Sequence, residues 1–168
     1  MRPKRPSSPA DEWQLPSEPY LPGRSPRPDE DDDVHRIGRA APVTDPALWR
    51  SNVAWLAGIR LYREGYFWEA HEVWEKVWMK ARPNSRERLL VQGLIQLANS
   101  ALKQRMGQHR AAVRLANLAL ALTEGAAIGG ELELMGVDLQ ALNRTTRAYA
   151  EQLPTTIAAP HPPLQVNA

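Results

Sequence analysis

Residues 65–78 read GYFWEAHEVWEKVW, with three tryptophans, one histidine and three glutamates in about four helical turns. Projected at about 100° per residue, Phe67, Ala70, Trp74, Val77, Trp78 and Ala81 share one broad apolar face. His71 and Glu75, four apart, fall on the edge of that face beside Trp78. Glu72 lies further round, near Trp68 and Met79, while Glu69, Lys76 and Lys80 point towards water. An apolar stripe of this period makes the stretch a helix.

The same period runs outward in both directions, with no strand-like alternation of useful length. A first helix is expected to start at Asp45-Pro46, Asp as cap and Pro in the first turn. It turns Trp49, Val53, Leu56, Ile59 and Tyr62 inward and stops at Gly65. The second covers about residues 66–81 and ends before Pro83. The third runs from near Ser85 to Met106, closed by Gly107. The fourth spans roughly residues 108–123, and Gly125, Gly129 and Gly130 mark a loop. Asp138 then caps a last helix to about Leu153. Five helices with short connections predict an all-α compact bundle over residues 43–153.

The flanks differ in composition. Ten of the 15 prolines lie in residues 1–46, with the block Asp29-Glu30-Asp31-Asp32-Asp33 and few spaced apolar residues. Such a segment buries too little surface to offset chain entropy, so residues 1–42 are expected to be a disordered tail. Residues 154–168, again Pro-rich, are expected to be a second one.

Composition excludes several classes. There is no cysteine, hence no disulfide, Cys-ligated zinc or iron–sulfur cluster. A formal net charge of +2 with no Lys/Arg cluster argues against nucleic acid. No apolar run suggests a membrane span or a secretory signal, and the expected location is the cytoplasm.

His71 and Glu75 at i, i+4 reach one point, a spacing used by helix-borne metal sites. The carboxylate could equally orient the imidazole as a general base, or the pair could tie the helix edge down at a fraction of a kcal/mol. On the third helix, Gln92, Gln96, Asn99 and Lys103 fall within about 60° of one another. Leu90, Val91, Leu94, Ile95, Leu97, Ala98 and Leu102 occupy most of the remaining circumference. Neutral amides in that setting read as an interior polar stripe that needs polar partners, and His71, Glu72 and Glu75 are the candidates. Lys103 would pair with Glu75 or Glu72. Trp68 either walls a pocket or covers a neighbouring helix, and Trp78 borders the same polar site.

Together, GYFWEAHEVWEKVW and the following VQGLIQLANSALKQRMGQHRAA resemble a small bacterial all-α family, domain of unknown function family 309. The resemblance covers about residues 48–153. It implies a five-helix fold and, by prediction for relatives, metal-dependent hydrolase activity. Carried over by position, its polar residues are His71, Glu72, Glu75, Gln92 and Gln96. Many relatives carry a histidine where this chain has Lys103.

Three readings stay open. A metal-assisted hydrolase would use His71 and Glu75 as ligands to zinc, manganese or iron, with Glu72 handling the water as the catalytic carboxylate. A non-enzymatic structural or interaction module would use the polar network to hold helix register and its surface for an unknown protein partner, with a homo-oligomer also open. A small-anion or metabolite binder would use the Lys103–His71 cleft. His35, His109 and His161 are not expected to serve as ligands.

Overall fold

The computed structural model describes residues 12–156 and 158–167. Helix α1 spans Asp33–Arg39, followed by a 3-10 helix at Pro46–Ser51. Then come α2 (Val53–Arg63), α3 (Phe67–Met79), α4 (Arg86–Arg105) and α5 (His109–Ala127). A two-stranded antiparallel hairpin, β1 (Glu133–Leu134) and β2 (Val137–Asp138), leads into α6 (Leu139–Gln152). The described residues thus hold seven helical segments, and the fold is all-α apart from that hairpin. The predicted second and third helices are α3 and α4.

Local chemistry accounts for the boundaries. Ser85 and Asp138 cap α4 and α6 by accepting from the backbone N–H of Arg88 and Ala141. Gly65 and Gly107 take the left-handed φ of 84° and 76° that ends α2 and α4. The expected first helix divides in two. Asn52 is extended and accepts from the Trp55 N–H, so a new helix starts at Val53 and Pro46–Ser51 winds as 3-10. The expected loop at Gly125 is the last turn of α5.

Consecutive helices α2 to α6 pack side by side, α4 against α5 most extensively, and α1 lies across α3. Leu90, Leu94 and Leu97 of α4 are fully buried, each contributing about 1.5–3 kcal/mol by leaving water. Trp55 and Trp74 stack obliquely at 6.2 Å at the α2–α3 contact. Among the buried polar groups, the Trp55 indole donates to the Met135 carbonyl at 3.2 Å, and Thr44 Oγ1 to the Val77 carbonyl at 2.7 Å.

In both flanks expected to be disordered, described side chains pack on the bundle; residues 1–11, 157 and 168 lie outside the described residues. Trp13 is 7% exposed and Val34 1%, and the Arg60 guanidinium stacks over the Trp13 ring at 4.7 Å. Arg60 also donates to the Trp13 carbonyl, and the Tyr66 hydroxyl to the Pro16 carbonyl. At the other end, Leu164 and Ala159 are buried, the Tyr62 hydroxyl donates to the Pro162 carbonyl at 2.7 Å, and His161 packs edge-on against Tyr62 and Phe67. Few apolar side chains suffice here because the bundle supplies the other half of each contact. No helix among the described residues is long and apolar enough to cross a membrane.

Candidate metal centre

Of the face expected on α3, Phe67, Ala70, Trp74 and Val77 are buried, joined by Val73, while Trp78 is half-buried. His71, Glu72 and Glu75 lie beside that face, their side chains 19, 31 and 46% exposed. His71 Nε2 lies 2.9 Å from Glu75 Oε1, and Nδ1 lies 3.5 Å from Glu72 Oε1. Both are ion-pair contacts rather than hydrogen bonds: the first follows from the i, i+4 register, and in the second Nδ1 is buried without a hydrogen-bond partner. One donor atom from each of the three residues falls within 4.8 Å of the others.

The amide stripe does not complete this cluster. Gln92, Gln96, Asn99 and Lys103 are half-buried rather than enclosed. Among the described residues, no hydrogen bond or ion pair joins them to His71, Glu72 or Glu75, and Lys103 pairs with neither glutamate. The polar face of α4 meets water along one side, which satisfies neutral amides without protein partners. The Trp78 ring, three residues beyond Glu75 on α3, is capped at 4.0 Å by the Arg88 guanidinium. Arg88 also donates to the Trp78 and Ala81 carbonyls, closing the free end of α3.

Glu69 corrects the sequence reading most sharply. Expected in water, it is 1% exposed and accepts the Tyr20 N–H at 2.6 Å through Oε1, while Oε2 is buried without a partner. Burial pushes its carboxyl above the ordinary value, the Tyr20 and its own backbone N–H pull it back, Asp32 adds to the rise and Arg105 opposes it. The residue that buries it lies 49 positions away, beyond the reach of helical periodicity.

The N-terminal segment also delivers His35. Its Nδ1 lies 2.7 Å from Asp32 Oδ1, and its ring sits 6.1 Å from Trp68. His35, Trp68 and Glu72 line a cavity of about 310 Å³ between α1 and α3. Trp68 lines this cavity and packs edge-on against Tyr20 of the N-terminal segment at 4.8 Å. Of the other histidines, His109 opens α5, and His161 sits against Tyr62 and Phe67.

Fold and site together define a small all-α protein carrying a His–Glu–Glu cluster of metal-ligand type on one helix. Over residues 55–115, from within α2 into α5, the chain matches the family model described as Domain of unknown function (DUF309). No curated protein and no solved structure matches the chain.

Proposed function

We propose that the chain is a helical module that holds a divalent cation on α3, bound by His71 Nδ1 and Glu72 and oriented by Glu75. The observation that carries this reading is the unpartnered Nδ1 of His71. A buried polar nitrogen without a partner costs about 1–3 kcal/mol, which a bound ion would offset. Its 3.5 Å separation from Glu72 Oε1 is long for a hydrogen bond. It is close to the roughly 3.4 Å edge between two ligands at about 2.1 Å around a tetrahedral ion. On the other side of the ring, Glu75 Oε1 stands 2.9 Å from Nε2, where carboxylates behind metal-ligating histidines sit. Imidazole with carboxylate suits zinc, manganese or iron.

A cation held there would supply Lewis acidity and an activated water, which is the chemistry the family resemblance implies. In this arrangement Glu72 is a ligand rather than the base, so hydrolysis would draw its proton acceptor from elsewhere.

The test is metal content of untagged protein purified without chelator. Near-stoichiometric metal is expected in wild type and none in Glu72→Gln or His71→Ala. Glu75→Gln should weaken binding about 10–100-fold without abolishing it. The His71–Glu75 contact alone favours a second reading, a structural or interaction module with no ion. Metal-free wild type would leave that reading standing and remove the first.

A further inference from the structure

The 310 Å³ cavity between α1 and α3 lies beside the metal-ligand cluster, with Glu72 on its wall. Its size is at the lower end of small-molecule sites, about 300–1,000 Å³. One wall is the half-buried Trp68, held in place by Tyr20 edge-on at 4.8 Å, so a flat aromatic face is presented in a fixed orientation. Val34, 1% exposed, lies at its base. Gly38 lets α1 come close to α3: a Cβ there would stand 3.2 Å from Lys76 Cγ.

Charge around the opening is unbalanced. Arg27, Arg39 and Lys76 line it, against Glu30 and Glu72. Glu72 leans towards His71 Nδ1, which draws its carboxylate towards the neighbouring cluster. Arg39 reaches the Glu30 carbonyl at 2.8 Å and comes within 3.7 Å of the exposed Asp31. Among the described residues, Arg27 and Lys76 have no ion pair or side-chain hydrogen bond. His35 Nδ1 is occupied by Asp32, leaving Nε2 as its second nitrogen.

We propose that this cavity binds a small organic anion, a phosphate or carboxylate carried on a flat ring. The ring lies against Trp68 and the acidic group sits among Arg27, Arg39 and Lys76. An aromatic wall with cationic heads at its rim matches both halves of such a molecule, by stacking and by charge-assisted hydrogen bonds. The site stands apart from the metal reading, since its recognition groups lie on Trp68, Lys76 and the N-terminal segment.

Isothermal titration of the full-length chain with phenyl phosphate, benzoate, inorganic phosphate and phenol, with and without EDTA, tests it. One equivalent of phenyl phosphate or benzoate should bind in both conditions, at least about tenfold tighter than phenol or inorganic phosphate. The tighter of the first two identifies the acid. Lys76→Met and Arg39→Gln, both at exposed positions, should each weaken binding several-fold, and Trp68→Leu should remove the advantage of the ring. Thermal melts confirm that the two charge variants fold. The proposal is overturned if neither aromatic anion saturates by on the order of 10 mM, or if folded Lys76→Met and Arg39→Gln bind like wild type. Binding that vanishes with EDTA would also overturn it, because the anion would then be a metal ligand.

Discussion

The backbone N–H of Tyr20 donates to the Glu69 carboxylate at 2.6 Å, fastening the N-terminal segment to the middle helix of the domain. Because the carboxyl is buried and raised above its ordinary 4.5, the folded chain keeps its proton to higher pH than the unfolded chain does. The contribution of this proton is therefore full below about 4.5 and is lost as pH climbs through the raised value. Urea midpoints of wild type and Glu69→Gln, compared from pH 4 to 8, should show wild type losing ground to the variant as pH rises. Glu69→Ala, which removes the acceptor altogether, should cost about 1–3 kcal/mol.

Trp13 carries the packing of the same segment. With its ring 7% exposed and stacked under Arg60, Trp13→Ala should lower stability by about 3 kcal/mol, as for other buried aromatics. A chain whose first forty residues were a solvated tail would show almost no change. Chemical denaturation at neutral pH distinguishes the two.

At the other end, burial and then the Arg105 charge lower the His161 imidazole below its ordinary 6.5. The folded state therefore prefers it neutral, and its contribution is present above about 6.5 and lost as pH falls through the lowered value. Amide protection factors at Ala158, Ala159, His161 and Leu164, corrected for the intrinsic pH dependence of exchange, should fall as the solution is acidified from pH 7 to 5. His161→Phe, which keeps a ring against Tyr62 and Phe67, should flatten that dependence.

Gly58 lets α2 and α3 approach. A Cβ there would lie 2.1 Å from Trp74 Nε1, and Trp74 is fully buried, so the ring cannot yield cheaply. Gly58→Ala should cost about 3 kcal/mol, where the same change in an open helix would stabilise it. The thermal midpoint reads the difference.

Much of this architecture is legible from local chemistry. Ser85 and Asp138 announce their helices because a cap acts within three residues, and Gly65 and Gly107 announce stops because only local φ is involved. The apolar face of α3 and the His71–Glu75 contact follow from helical spacing alone. Asn52 is harder: it sits inside an uninterrupted apolar period, and only its extended backbone splits the helix there. Glu69, His35 and Trp13 could not be placed by periodicity, since their surroundings come from segments tens of residues away. The amide stripe misled for a related reason. Its spacing puts Gln92 to Lys103 on one face, but which neighbour that face meets depends on how α3 and α4 rotate against each other.

The central claim is that His71 uses Nδ1, not Nε2, to hold an ion beside Glu72. Imidazole 1H–15N correlation spectra of chelator-stripped protein, titrated with zinc to one equivalent, test it most directly. The account predicts that His71 Nδ1 moves to a metal-bound shift at 1:1 stoichiometry while Nε2 keeps its proton against Glu75, and that Glu72→Gln abolishes the change. Unmoved His71 nitrogens at one equivalent, or a metal-bound Nε2, would contradict it.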